Sequence, residues 1–385
     1  DMTSEIVRCR IEETGLVATC DLKKGDLIIA EKPIFTLPRS MAYQPETKQM
    51  NRIIQALNKT TPSNRELFWS LAKYAPVTED TPAETETASE EAEERDPSTS
   101  VSIAWASAFT SKHDPPMRDE GERVGEAEKE REEQERKGKG IDMGVFAICG
   151  RLKHSCVPNT SRTWLDAGRV GSRLIVRAAC DIAEGTELTT SYIDMGQVFA
   201  KRQKELEERH SIRCTCPCCS QMLDKMEDSD KRRDTIQRTH RYILDQVERK
   251  KMVYGPTTMI LKKLPAMIQA EYGDCPSVLM EHYRLLFRVH MSAGYVELAR
   301  DAAYDALEQQ ILCHGYNKEC EEWVGYCKDP QSHEEARSQE MGIATPHARK
   351  PFSPKYTVGD METPETLFKT VMKKGTQRRD RSRRR

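Results

Sequence analysis

Four cysteines within six residues, Cys214-Thr215-Cys216-Pro217-Cys218-Cys219, constrain this chain more than any other stretch. Cys214, Cys216 and Cys219 form a C-x-C-x-x-C run that delivers three sulfurs from one tight turn, and a tetrahedral zinc needs a fourth donor from elsewhere. Cys156, in the upstream run His154-Ser155-Cys156-Val157-Pro158-Asn159, is the candidate for that donor, with Cys218 as a substitute. The competing reading is disulfide bonding. Thirteen cysteines scattered over 385 residues, with no charged, apolar and small-residue leader at the start, favour a reduced intracellular chain instead. Four thiolates would close the coordination shell, so the metal would be structural, and its binding would act as folding energy on the order of 10 kcal/mol.

A chain of 385 residues accommodates two or three domains. The net charge of -2 hides an acidic segment at 79–98 and a basic end at Arg378–Arg385. No apolar run approaches the roughly 20 residues of a membrane span, so no membrane partner is expected. The near-neutral balance and the lack of a basic, aromatic-laced face argue against a zinc-dependent nucleic-acid binder. The terminal arginines suit a nuclear-import signal or a contact for acidic or chromatin partners; their bland alternative is a solvated tail.

Apolar patterning predicts strands at Ile6–Ile11, Leu16–Thr19 and Leu27–Phe35, then two short helices within 47–74 that break at Thr61-Pro62-Ser63. The segments 79–98 and 118–140 carry too little apolar content to offset ordering entropy, whereas Ile103, Trp105 and Phe109 between them suit a buried element. Strands are expected again at Val145–Cys149, Arg162–Leu165 and Leu174–Ala178. A helix over Met195–Glu208 leads into the cysteine turn. Helices follow at Ile236–Val247, Thr258–Ala270, Val278–Ser292 and Val296–Leu312, the last two as a hairpin around Gly294. Beyond about Lys328 the chain is polar and finally basic, and disorder is expected there.

Taken together and in order, Gly15-Leu16-Val17-Ala18-Thr19, His154 to Asn159, Gly185-Thr186-Glu187-Leu188-Thr189-Thr190-Ser191-Tyr192 and the cysteine run resemble a SET domain with its post-SET zinc turn. The resemblance is strongest to the SET-and-MYND family and its fungal relatives, without the cysteine and histidine ligands of a MYND finger. It implies an α+β fold of small curved sheets with a knot-like crossing. The implied domains are a SET domain at 4–192 interrupted by an insertion at about 40–140, a post-SET helix and zinc turn at 193–220, a helical domain at 221–327, and a basic tail at 328–385. It also implies transfer of a methyl group from S-adenosylmethionine to the ε-amine of a lysine in a protein substrate, in the nucleus, the cytoplasm or both. In that reading Tyr192 is catalytic. Gly15, Leu16, Ser107, Lys153, His154, Ser155 and Tyr192 hold the cofactor, Phe146, His210 and Ile212 wall the lysine channel, and Cys156, Cys214, Cys216 and Cys219 hold zinc. Taken alone, Phe146 reads as plain core, His154 as an ordinary hydrogen-bonded histidine and Tyr192 as a half-buried strand tyrosine.

The departures from that family fall on the chemistry. Lys153 stands where the family has an asparagine before the motif histidine, and Ser107 stands where it has a second asparagine. A cation near the cofactor's ammonium and sulfonium is unhelpful unless it points away, pairs with an acid or meets the cofactor's carboxylate. Glu13, Thr186 and His210 replace a glycine, an acid and an aromatic. These changes define the alternative reading, a SET-derived interaction protein with weak or absent catalysis.

Overall fold

The computed structural model describes residues 4–12, 15–38, 41, 44–71, 100–101, 104, 108–110, 142–165, 172–273 and 275–333. The chain divides into two compact units, one from residues 1–22, 27–176 and 182–220 and the other from 23–26, 177–181 and 221–385. The expected acidic and mixed-charge insertions at 79–98 and 118–140 and the basic end lie outside the described residues, as do Ile103 and Trp105.

The first unit is built from short strands in four small sheets. β1 (Ser4–Val7), β4 (Leu27–Glu31), β10 (Arg173–Ala178) and β9 (Thr160–Leu165) form one sheet in the order β1-β4-β10-β9. β2 (Cys9–Glu12) pairs antiparallel with β3 (Gly15–Ala18), β5 (Phe35–Pro38) joins β7 (Asp142–Val145) and β6 (Ala108–Thr110), and β8 (Lys153–His154) pairs parallel with β11 (Thr189–Thr190). The α+β class expected from the sequence holds.

Two helices cover the β5-β7-β6 sheet. α1 (Glu46–Asn58) contributes Ile53 and Leu57, and α2 (Pro62–Trp69) contributes Phe68, to a core with Phe35, Leu37, Met143 and Val145. Each such side chain contributes about 1.5–3 kcal/mol by leaving water. The break between the helices falls where the sequence put it: the Thr61 hydroxyl accepts from the Asn64 amide at 3.2 Å, and Pro62 occupies the first turn, where its missing N–H costs nothing.

Three strand expectations are corrected, the first being Ile6–Ile11, which divides between β1 and β2 in different sheets. The run Leu27–Phe35 is not one strand but β4 and the start of β5, in different sheets, because Pro33 has no N–H to continue a ladder. The run Val145–Cys149 leaves the sheet at Val145. There the fully buried Glu31 carboxylate accepts hydrogen bonds from the amides of Ala147 and Ile148 on Oε1 (2.8 and 2.9 Å) and from Cys149 on Oε2 (2.7 Å). Burial pushes the Glu31 carboxyl above its usual range, and the three amides pull against that shift. One side chain from β4 thus fixes the turn that feeds β8.

The second unit is helical: α4 (Leu223–Glu248), α5 (Tyr254–Leu261), α6 (Leu264–Tyr272), α7 (Pro276–Ser292), α8 (Val296–His314) and α9 (Lys318–Lys328) follow α3 (Phe199–His210) of the first unit. The expected helix Thr258–Ala270 is split in two at Lys262-Lys263, with Pro265 in the first turn of α6. α9 lies in the helical domain expected at 221–327 but had no helix of its own assigned, although Cys320, Trp323 and Cys327 carry the helical spacing that buries it. Residues Pro330–Ser332 add a further 3-10 turn where disorder was expected. Gly294, with φ +76°, turns α7 back onto α8, where Ala299, Ala302, Ala303 and Ala306 pack beside Phe287, Met291 and Leu307. The buried Glu271 of α6 holds two guanidinium groups of α4, Arg233 at 2.6 Å and Arg232 at 2.9 Å. Between α4 and α7, His240 Nε2 and His282 Nδ1 lie 3.4 Å apart.

Two outcomes follow for stability. Glu31→Gln, which aims an amide NH₂ at backbone donors, lowers unfolding free energy by about 1–3 kcal/mol in a denaturant titration, and Glu31→Ala lowers it at least as much. Burial pushes both His240 and His282 down to about 4 from 6.5, so the stability that comes from keeping them neutral is complete above about 6.5 and is lost as pH falls through about 4. His282→Gln therefore flattens the dependence of melting temperature on pH in that window.

Candidate functional site

A single extended stretch, residues 185–192, assembles the site. It leaves the turn at Gly185, whose φ of +78° suits glycine, and runs along β3: the amide of Ala18 donates to Thr186 O at 3.0 Å and that of Leu188 to Leu16 O at 2.7 Å. It then becomes β11, with Thr189 opposite Lys153 and Thr190 opposite His154. Asn159 splints this crossing. Its Oδ1 accepts from the Thr189 amide at 2.8 Å, and its Nδ2 donates to Glu187 O at 2.8 Å. Gly15–Ala18, well over a hundred residues earlier in the chain, therefore meets Lys153–Ser155 and Glu187–Tyr192 at one place.

Tyr192 ends the stretch. Its amide donates to His154 Nδ1 at 3.0 Å, and its hydroxyl donates to the carbonyl of Leu152 at 2.5 Å. The rings of Phe109, His154 and His210 surround it at centroid distances of 6.2, 5.3 and 5.1 Å, with Phe146 and Trp164 edge to face beyond Phe109. Burial pushes the Tyr192 hydroxyl up to about 12, against the opposing pull of the Arg162 cation, so it stays protonated at neutral pH. Arg162 lies over the Phe109 ring at 4.6 Å and donates to Ser191 O at 3.3 Å. His210 is pushed down to about 4, chiefly by burial, and so carries no charge at physiological pH.

The His154 ring is engaged inside the protein. With Nδ1 accepting from Tyr192, a neutral ring carries its proton on Nε2, which faces the Cys156 sulfur at 3.4 Å. Burial pushes this imidazole down to about 4. Ser155 is buried, its backbone amide bonded to Thr190 O and its hydroxyl accepting from the Val157 amide. Leu16 and Phe146 are fully buried, and Ile212 is half-buried against the cysteines.

Lys153 pairs with an acid. Its Nζ lies 2.8 Å from Glu187 Oε1, with both side chains about half exposed. The pair lies over the α-carbon of Gly15: a β-carbon there would sit 2.7 Å from Glu187 Oε1 and 3.2 Å from Lys153 Cε. A side chain at 15 would therefore displace the tips of these two half-exposed side chains.

The sulfurs of Cys156, Cys214, Cys216 and Cys219 all lie within 4.8 Å of one another. Cys156 Sγ is 3.9 Å from Cys214 Sγ and 3.5 Å from Cys219 Sγ, against the roughly 3.8 Å edge of a tetrahedron with 2.3 Å zinc–sulfur bonds, so the donor set fits zinc. Cys218 stands outside the tetrad, its sulfur 3.7 Å from Nη2 of the fully buried Arg202. The turn is presented by α3. Gln203 clamps Cys214 from both sides, donating to its carbonyl at 2.9 Å and accepting from its amide at 3.0 Å, and Ser211 takes a left-handed φ of 52° to end the helix.

Ser107 and Glu13 lie outside the described residues. Thr186 contributes its backbone carbonyl to the crossing. Asn159, Arg162, Glu187 and Arg202 were not singled out as site residues by sequence reasoning. Asn159 and Glu187 sat inside quoted motifs, but only the cross-chain pairing reveals what their side chains touch.

Residues 13–193 match the SET domain family. Over 80 residues the chain is 38% identical to histone-lysine N-methyltransferase set5 of Schizosaccharomyces pombe, covering 20% of this chain and 23% of that protein. Over 79 residues it is 40% identical to histone-lysine N-methyltransferase SET5 of Meyerozyma guilliermondii, covering 20% and 16%. Over 88 residues it is 35% identical to histone-lysine N-methyltransferase SMYD3 of Homo sapiens, covering 23% and 19%. The chain thus spans about a fifth of the length of the curated relatives it matches. With the strand crossing at 185–192 inside the matched span, the chain carries a SET domain over residues 13–193.

Proposed function

We propose that this protein is an S-adenosylmethionine-dependent protein-lysine N-methyltransferase with a structural zinc. The observation that carries the reading is the enclosure of a protonated Tyr192 by Phe109, His210 and the 185–192 crossing, beside the half-exposed charges at Lys153 and Glu187. S-adenosylmethionine, when bound, supplies an electrophilic methyl on a sulfonium. Gly15, Leu16, Lys153, His154 and Ser155 would hold it, together with Ser107, through the backbone of β3 and β8 and through the Lys153–Glu187 pair. Four thiolates on one zinc would leave no open position, so the metal would fix the turn after α3 and take no part in the chemistry.

The chain's own residues meet the remaining demands. A free lysine has a pKa of about 10.4, so removing its proton at neutral pH costs about 4–5 kcal/mol. The aromatic enclosure of Phe109, Phe146, Trp164 and His210 disfavours the ammonium by desolvation, and the nearby Arg162 cation disfavours it further by repulsion. Tyr192 is held with its hydroxyl hydrogen on Leu152 O, which leaves its oxygen lone pairs facing the enclosure to orient the neutral amine. The neutral state of His210 keeps that wall free of a competing charge at physiological pH. The relatives' names make a histone a reasonable first substrate, and the nucleus and cytoplasm the places to look for the protein. Among the described residues no helix is long and apolar enough to cross a membrane.

The test is calorimetric titration with S-adenosylmethionine followed by labelled methyl transfer to histones and a cell extract. Binding and transfer are expected; absence of binding at millimolar cofactor would sink the reading. Tyr192→Phe should lower the transfer rate by about 10²-fold or more, as loss of a positioned polar group does, while zinc content is unchanged and stability falls by only about 1 kcal/mol. Cys216→Ser should lower zinc stoichiometry and melting temperature together. Full zinc retention at wild-type stability would remove the structural site.

A further inference from the structure

α5 turns an apolar face to solvent. From Met252 to Leu261 the chain carries ten consecutive uncharged residues, although 32% of its residues are charged. On the inward side Tyr254 stacks on Tyr295 at a centroid distance of 4.2 Å, with its hydroxyl 2.8 Å from His290 Nδ1, and Leu261 is buried. On the outward side Val253, Pro256, Met259 and Ile260 recur at helical spacing, and Val253 and Met259 are 66% and 67% exposed. A surface helix ordinarily turns polar residues that way. Cations bracket the face: Lys250 and Lys251 precede it, and Lys262 and Lys263 follow it. All four are exposed, and none makes an ion pair among the described residues, whereas the neighbouring Arg249 meets Asp245 at 2.7 Å.

We propose that the outward face of α5 docks onto an anionic lipid bilayer, with the four lysines among the headgroups and Val253, Met259 and Ile260 at the acyl boundary. Size and charge decide the partner. Eight residues at 1.5 Å each make a helix about 12 Å long, whose outward face covers on the order of 100 Å². A specific protein interface needs about 800 Å² on each side, so this face alone would hold neither a second copy nor a protein partner. A second copy would also set its own lysines against these. A bilayer makes no such demand, because fluid headgroups gather around each lysine and the acyl boundary accepts the apolar side chains that reach it. Lysine stems can lie along the apolar surface while their ammonium groups reach the phosphates. Nucleic acid suits the lysines but not the apolar centre, whose outward residues include no aromatic ring for a base to stack on. α5 is far shorter than the roughly 20 residues of a span, so the contact is with the bilayer surface. The expectation of no membrane partner concerned spanning, and it is revised in this respect alone. This docking face is independent of the methyl-transfer reading.

Co-sedimentation of the full chain with vesicles tests the proposal, using phosphatidylcholine alone and phosphatidylcholine with about 30% phosphatidylserine. Wild type should partition at least about tenfold more strongly onto the second, and raising salt from about 0.05 to about 0.5 M should remove most of that preference. Met259→Ser with Ile260→Ser, and Lys262→Gln with Lys263→Gln, should each weaken partition about fivefold or more and melt near wild type, because all four side chains are exposed. Lys225→Gln with Lys231→Gln, near the start of α4, makes the same change in net charge and should stay within about twofold of wild type. Equal partition onto both vesicles, or none, would overturn the proposal. Variants of α5 that bind like wild type, as attraction through Arg378–Arg385 would give, or equal weakening by the α4 variant, would overturn it too. A peptide of alternating glutamate and leucine that binds wild type but not the α5 variants, while vesicles do not bind, would assign the face to a protein partner instead.

Discussion

The crossing of residues 185–192 against β3 and then β8 is the constraint on which the site depends. Backbone hydrogen bonds from Ala18 and Leu188 tie the stretch to the first fifteen or so residues of the fold, and the parallel pairing of Thr189 and Thr190 ties it to Lys153 and His154. Parallel pairing of short strands is weak by itself. Asn159 supports it by bonding backbone on both sides of Leu188, and the Tyr192 amide closes it onto His154 Nδ1. Remove that crossing and Gly15, Lys153 and Tyr192 have no reason to be near one another.

Two buried devices hold the crossing in place from outside. The Glu31 carboxylate gathers the amides of 147–149 and so sets the path into β8. On the other side, His154 Nε2 faces the Cys156 sulfur, which belongs to the tetrad presented by α3. The imidazole thus links the tyrosine end of the crossing to the cysteine turn, and geometry at Tyr192 is coupled to order in a turn whose ligands lie about 20 residues further along the chain.

Three ligands of the cysteine tetrad were legible because the C-x-C-x-x-C spacing delivers them from one turn, with Cys156 only the candidate for the fourth, and the order of the glycine, histidine and tyrosine motifs conveyed the SET domain. The break at Thr61-Pro62 was legible for a local reason, a cap followed by proline. What the sequence could not convey were pairings between remote residues. Nothing adjacent to Glu31 announces that it binds the amides of 147–149, and nothing adjacent to Lys153 announces that Glu187 is the acid it pairs with. The sequence leaves Cys218 an alternative ligand, and only the fold shows its sulfur outside the tetrad, against the buried Arg202. Helix ends failed similarly: Thr258–Ala270 has a continuous apolar period, yet Pro265 resets the helix. Ser107 and Glu13, two of the departures from the family's pattern, lie outside the described residues.

The central claim is that one crossing builds a cofactor site from three remote segments. Amide hydrogen exchange with and without S-adenosylhomocysteine tests it most directly. Protection confined to 15–18, 153–155 and 186–192, rising together with ligand, is the predicted result. Absence of protection there, or protection only in the helices beyond residue 221, would contradict it.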